Sequence, residues 1–312
     1  MNETIKELVV KSAPAPTPMD AICGFVIRMR PATAPETIRA RVYEAVSAGK
    51  MLKIDHGVYI AIDGPAAMVV VQGDAWEALE RLDADSIDLI ATDSPYDLGT
   101  KQHTGWGTTR PPSQGRDYEI RDVDERWLRG AFRALKKNHN WRNLNTGQPR
   151  PGGGACIIFT PNLTRSTRKH VQALLDLAET IGFVYQGSVV WNRETMGMGY
   201  AFGRNQHTLL HLITAGDRGG VGWDLAMRDV LTIKTVRNPT GGEEHEAEKP
   251  VELFMSLIRF CTQPGDVCMD PFAGRARWAK QAIKEGRHVI LVEKEEKWVK
   301  RIAVEDGGIV DA

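Results

Sequence analysis

The sequence predicts an α/β fold: a largely parallel sheet flanked by helices, with a small module in front of it. Three observations carry this reading. From residue 68 onward, short apolar runs alternate with helical periodicities, the pattern of strands joined by helical crossovers. Two of the runs end in acidic turns, Asp93-Ser94-Pro95-Tyr96 and Asp270-Pro271-Phe272-Ala273-Gly274. Open α/β sheets place their chemistry at that edge. Before residue 64 the chain reads differently, as helices followed by a hairpin.

Composition sets the outer limits. A chain of 312 residues with 42% hydrophobic content suits one large domain with a real core plus a small appendage. Forty Lys and Arg balance forty Asp and Glu, so a polyanion-binding surface must come from local patches. Cys23, Cys156, Cys261 and Cys268 show no CxxC spacing, which predicts buried free thiols in a reducing compartment. No signal peptide, bilayer-length apolar run or metal-ligand cluster is expected.

Residues 1–18 are polar, and Pro14, Pro16 and Pro18 predict a flexible arm. The module at 19–64 reads as a helix over 20–29 and a second over 36–48, with Ile38, Val42 and Val46 on one face. Runs at 51–54 and 58–62 flank Asp55-His56-Gly57, a hairpin signal. This order resembles a winged helix-turn-helix, in which Arg39, Arg41, Lys50 and Lys53 would meet phosphates. A structural cap or a homodimerisation unit is the equal alternative.

The main domain occupies 65–312. A strand over 68–72 ends at Gly73-Asp74, and Asp74 suits the N-cap of a helix over 76–82. The strand over 86–92 leads into Asp93. That turn can aim the Asp93 carboxylate and the Ser94 carbonyl at one point, two acceptors suited to an exocyclic NH2 group. Tyr96 adds a face for a flat base. The same residues also make an ordinary turn.

Residues 97–118 lack periodicity and carry Lys101, Arg110 and Arg116; so long an unpatterned loop is usually functional or disordered. From 100 to 150, eleven Lys or Arg face five Asp or Glu, the best compositional sign of a polyanion partner. An amphipathic helix over 124–137 turns Trp127, Leu128, Ala131, Phe132 and Leu135 inward. A strand over 155–159, a helix over 164–180 and strands over 183–191 and 208–214 follow. The segment 215–248 holds Arg218, Trp223, Arg228, Lys234, Arg237 and Asn238. A helix over 250–261 precedes a strand over 265–270, a glycine turn, a helix over 276–285, and a strand over 288–293 ending in Glu293. That last arrangement is how a nucleoside cofactor is held: the glycine admits the ligand and the acid accepts ribose hydroxyls.

Taken together, Gly73-Asp74, Asp93-Ser94-Pro95-Tyr96, Glu248-Lys249-Pro250-Val251-Glu252-Leu253, Asp270-Pro271-Phe272-Ala273-Gly274 and Glu293 resemble the amino-methylating DNA methyltransferases, which make N6-methyladenine or N4-methylcytosine. The catalytic motif precedes the cofactor motif, as in the family's β group, and the resemblance runs over about 69–298. It implies a seven-stranded, Rossmann-like methyltransferase sheet. It implies S-adenosylmethionine as cofactor, bordered by Asp74, Asp93, Lys249, Asp270, Pro271, Phe272, Ala273, Gly274 and Glu293. It implies catalysis by Asp93, Ser94, Pro95 and Tyr96, and target recognition over 215–248. Lys101, Arg110, Arg116, Arg218, Arg228, Lys234 and Arg237 are then the residues toward double-stranded DNA. A cytoplasmic protein of bacterial, archaeal or phage origin, in a restriction–modification setting, is the expected context.

Aspartate at the first catalytic position is tied in the family mainly to adenine. Two departures stand out. Ser94 replaces the usual proline, and Gly274-Arg275-Ala276-Arg277 replaces the usual Gly-Ser-Gly-Thr, which removes a glycine and adds two cations. The competing readings are a cytosine-N4 enzyme and a non-catalytic DNA-binding protein that kept the fold. RNA or protein methyltransferases and nicotinamide enzymes fit the motif order or the Asp93 turn less well. No cysteine has the setting of a nucleophile, which argues against cytosine C5 chemistry.

Overall fold

The computed structural model describes residues 3–55, 57–62, 64–94, 103–104, 108–109, 120–138, 141–142, 149–150, 152–160, 168–194, 206–216, 227–235 and 249–311. In chain order the helices are α1 (Ile5–Lys11), α2 (Met19–Met29), α3 (Pro35–Ser47), α4 (Ala75–Arg81), α5 (Ile120–Ala134), α6 (Arg168–Ile181), α7 (Val251–Cys261), α8 (Trp278–Lys284) and α9 (Glu296–Asp306). The strands are β1 (Thr17–Pro18), β2 (Met51–Asp55), β3 (Val58–Ala61), β4 (Met68–Gln72), β5 (Leu89–Thr92), β6 (His103–Thr104), β7 (Thr108–Thr109), β8 (Trp141–Arg142), β9 (Pro149–Arg150), β10 (Ala155–Thr160), β11 (Val184–Asn192), β12 (His207–Thr214), β13 (Val230–Thr232), β14 (Val267–Asp270), β15 (His288–Glu293) and β16 (Ile309–Asp311).

The main sheet runs β13-β11-β12-β10-β5-β14-β15-β4-β16. Only β12 is antiparallel to its neighbours. It therefore has nine strands where seven were expected. The additions are its two edges, β13 and β16, each three residues long, too short to leave a periodic signal. β5, β10 and β14 are buried on both faces along their whole length, which is why they read as continuous apolar runs.

Each face has its own core. On one side Leu89, Ile157 and Phe159 pack with Leu253, Phe254 and Leu257 of α7 and Trp278 of α8. On the other, Ile90, Cys156 and Ile158 pack with Leu79 of α4, Trp127 and Leu128 of α5, and Leu174 of α6. β5 and β14 are parallel neighbours in the register Cys268↔Leu89 and Met269↔Ile90. Their far ends are pinned by buried Asp88, which accepts from Lys136 Nζ at 2.7 and 2.9 Å and from the Val267 amide at 2.8 Å. This register brings the Asp93 turn and the Asp270 turn to one edge.

The expected arm is folded. Thr4 caps α1, and Glu7 answers with its side chain on the Thr4 backbone, a capping box. Leu8, Val9 and Ala13 are buried with Ile22, Val26, Ile38 and Val42. Pro18 lies in β1, at the edge of the antiparallel sheet β1-β3-β2, where its missing N–H costs no ladder bond. The prolines read as a spacer thus lead into a strand.

The hairpin does not stand clear of the main domain. Leu52, Ile54 and Ile60 share a core with Ala67, Val69, Leu79 and Ile90, and Lys53 is paired with Asp83. Among the described residues no helix is long and apolar enough to cross a membrane, and no three His, Cys, Asp or Glu side chains gather as a metal site. The four cysteines are buried and unbridged, and burial pushes the Cys156 and Cys268 thiols up.

Candidate active site

Two strand tips meet at the sheet's C-terminal edge. Thr92, the last residue of β5, donates its hydroxyl to Asp270 Oδ1 at 2.7 Å. The Phe272 amide donates to the same oxygen at 3.0 Å. Asp270 is 3% exposed. Its carboxyl is pushed up to about 7, chiefly by burial; the two hydrogen bonds work against the rise, and the neighbouring Asp93 and Glu293 add to it.

Asp93 follows Thr92 directly. Its Oδ2 is paired with Lys249 Nζ. Lys249 lies just ahead of α7, and its ammonium stands 5.7 Å from the centre of the Phe159 ring. Ser94 is buried. Pro95 and Tyr96 lie outside the described residues.

Between these tips lies a cleft of about 450 Å³, open to solvent, bounded by Asp93, Lys249, Phe254, Asp270 and residues 272–278. Phe254 and Trp278 of its lining are stacked, with Phe159 stacked on Phe254 behind them. Phe159 and Phe254 lie 5.3 Å apart, and Phe254 and Trp278 lie 5.1 Å apart and 6° from parallel. Phe254 lies on the helix expected over 250–261; nothing in the local pattern marked Trp278, or Thr92 as the partner of Asp270.

The turn after β14 is tied to the tip of β15. Glu293 Oε2 accepts from the Gly274 amide at 2.7 Å, and Oε1 accepts from the Glu295 amide at 2.7 Å. The Gly73 amide donates to the Glu293 carbonyl at 3.1 Å. Asp74 occupies the N-cap position of α4 yet makes no capping hydrogen bond; its carboxylate takes the Lys294 ammonium at 2.7 Å. Asp93, Lys249, Asp270, Phe272, Ala273 and Gly274 therefore surround one cleft. Glu293 touches its glycine turn, while Asp74 and Pro271 are not part of its lining.

The altered loop has a structural signature. Gly274 and Ala276 both have left-handed backbones, with φ of 54° and 44°. Arg275, between them, is 6% exposed and paired with Glu305 of α9. Arg277 joins the cleft wall.

Of the residues expected toward DNA, Arg228 and Lys234 are described. Both are exposed and flank β13, and Lys234 Nζ stands 4.0 Å from Glu194. Lys101, Arg110, Arg116, Arg218 and Arg237 lie outside the described residues.

A family model described as DNA methylase, of the N6/N4 class, matches residues 217–305, which include Lys249, Asp270, Gly274 and Glu293. A DNA adenine methyltransferase of Escherichia coli, YhdJ, is 22% identical over 268 residues, covering 76% of this chain and 82% of that protein. The cytosine-N4-specific PvuII DNA methyltransferase superposes with a TM-score of 0.53 at 15% identity, covering 76% of this chain and 86% of that one. M1.HpyAVI in its SAM complex gives 0.51 at 17% identity, covering 76% and 97%. The two structural likenesses speak to the fold. The chain is thus similar to DNA methylases of the N6/N4 class over residues 217–305, which hold the Asp270 turn, and to a DNA adenine methyltransferase over most of its length.

Proposed function

We propose that the protein transfers a methyl group from S-adenosylmethionine to the exocyclic amine of a base flipped out of double-stranded DNA, adenine N6 in preference to cytosine N4. The observation that carries this is the convergence of Asp93 and Asp270 on one cleft walled by aromatic rings. The likeness to N6/N4 DNA methylases supports the general chemistry; the base and the flipping rest on the residues of the Asp93 turn.

The cleft suits this cofactor. It opens to solvent at the sheet edge where the Asp93 and Asp270 turns meet. The cofactor carries two cationic centres and one carboxylate, and the cleft lining holds both signs of charge, Asp93 and Asp270 with Lys249, Arg275 and Arg277. Asp270, Gly274 and Lys249 would hold the methionine end. Glu293, beside the glycine turn, would accept the ribose hydroxyls. When bound, the cofactor supplies an electrophilic methyl group on a sulfonium sulfur.

The chain's own contribution is orientation. A carboxylate accepts at both oxygens, so pairing of Asp93 Oδ2 with Lys249 leaves the group able to hold an amine hydrogen. The Ser94 carbonyl would accept the second hydrogen, which turns the nitrogen lone pair toward the methyl group. Tyr96 would stack on the base. Alignment of this kind accounts for much of the rate in a displacement reaction. The base must leave the stack because its amine is otherwise paired and out of reach.

Supporting a DNA substrate are the basic stretch over 100–150 and the exposed Arg228 and Lys234. Aspartate rather than serine at position 93 favours adenine by the resemblance. The PvuII likeness keeps cytosine N4 as the second reading. Mass spectrometry of nucleosides from DNA treated with the purified protein decides between them. N6-methyladenine is the expected product; N4-methylcytosine alone would overturn the choice of base, and no methylated nucleoside would overturn the enzyme assignment.

A further inference from the structure

The loop that borders the cleft has a residue in a conformation it should avoid. Ala276 has φ 44°, in the left-handed region where a Cβ is disfavoured and glycine is the usual occupant. Such a conformation persists only where the surroundings over-determine it. The adjacent residue supplies the surroundings. Arg275 is buried and reaches away along the fold to Glu305, near the end of α9. Glu305 is held in turn: Arg301 Nε donates to its Oε1 at 2.8 Å, and Lys280 Nζ donates to its carbonyl at 3.1 Å. On its other side the loop is fixed by Gly274 donating to Glu293. The loop is therefore tied at two consecutive residues, by a hydrogen bond at Gly274 and by an ion pair at Arg275, with the disfavoured residue immediately after the ion pair.

We propose that the Arg275–Glu305 ion pair is a strut that holds the loop of residues 274–277 in shape, taking over the work that a glycine at position 276 does by conformational freedom, and that Glu305 is thereby a positioning residue for cofactor affinity although it lies outside the cleft. The affinity part rests on the cofactor reading above; the strut itself does not. Both substitutions at this loop then belong together. An arginine at 275 is what makes an alanine at 276 tolerable.

The test compares Glu305→Gln in two backgrounds, the native chain and Ala276→Gly, with melting curves to establish that each variant is folded. Amide hydrogen exchange over 270–279 is measured without ligand, and S-adenosylmethionine binding by calorimetry. In the native background, Glu305→Gln should speed exchange at 274–277 and weaken binding, each by roughly tenfold, as expected when a local restraint is removed. In the Ala276→Gly background the same change should have an effect of less than about threefold, because residues acting on one conformation are not additive. Arg275→Met should reproduce the Glu305→Gln result from the other side of the pair. Unchanged exchange in Glu305→Gln, or equal effects in both backgrounds, would overturn the strut. Faster exchange in a chain that binds no S-adenosylmethionine would uphold the strut and remove the cofactor reading instead.

Discussion

Lys249 and Asp93 stand 156 residues apart in the chain and form an ion pair in the wall of the cleft. One belongs to the approach to α7, the other to the turn after β5. The cation thus sits on the carboxylate proposed to hold the target amine, and it also stands above the Phe159 ring, which stacks on Phe254 of the cleft lining. An ammonium on a flexible stem orients that carboxylate without blocking its second oxygen.

Replacing Asp93 with alanine should abolish methyl transfer and leave a folded protein that still binds S-adenosylmethionine. Lys249→Met should lower turnover on the order of 10²-fold through poorer orientation. Methyl transfer from a labelled cofactor, with calorimetry for binding, measures both. Native turnover by the Asp93 variant would remove that residue from the mechanism.

Glu293→Gln should weaken cofactor binding by roughly 1–3 kcal/mol, the cost of leaving a buried polar group without its partner. Glutamine keeps an oxygen for the Gly274 or Glu295 amide but lacks the second acceptor. A dissociation constant equal to that of the native chain would show that the ribose lies elsewhere.

Asp270 gives the protein a pH dependence of defined sign. Its carboxyl is raised from 3.8 to about 7 in the folded state, so the folded protein holds a proton that the unfolded chain gives up. The stability from this group is complete below about pH 4 and is lost as pH rises through about 7, with a slope approaching about 1.4 kcal/mol per pH unit. Asp270→Asn removes the ionisation and should flatten that part of the profile. Urea melts of both proteins at pH 5 and pH 8 would check it; parallel profiles would mean that Asp270 ionises normally.

Arg228→Ala and Lys234→Ala should each weaken DNA binding to a similar degree on every sequence. Each should also reduce the slope of log affinity against log salt by roughly 0.9 for every phosphate that the variant no longer neutralises. Fluorescence anisotropy across a salt series reads this. A weakening confined to one target sequence would make the residue a base reader instead.

Much of the sheet was legible because its central strands are buried on both faces, so β5, β10 and β14 appear as apolar runs with sharp ends. The site was legible where chemistry coincides with a strand end: Asp270 and Glu293 close strands and Asp93 directly follows one, while Lys249 adjoins a proline that starts a helix. What escaped depends on pairings distant in sequence. Thr92 meets Asp270 across 178 residues, and Arg275 finds Glu305 on a helix that the motif pattern did not mark. The strand pairing of β1 and the three-residue edges β13 and β16 are set by their neighbours, since segments so short have no period to read.

The hairpin β2–β3 places Leu52, Ile54 and Ile60 in the same core as Val69 and Ile90 of the main sheet. The N-terminal module and the catalytic half therefore share hydrophobic surface rather than a tether. Cutting the chain near Gly64 would strip that surface bare on the larger fragment, so a shortened protein should aggregate rather than report what the module does. Cooperativity follows from the same fact: heat should melt both parts in one transition, and a destabilising change in the buried core of the module should lower the yield of folded protein as a whole.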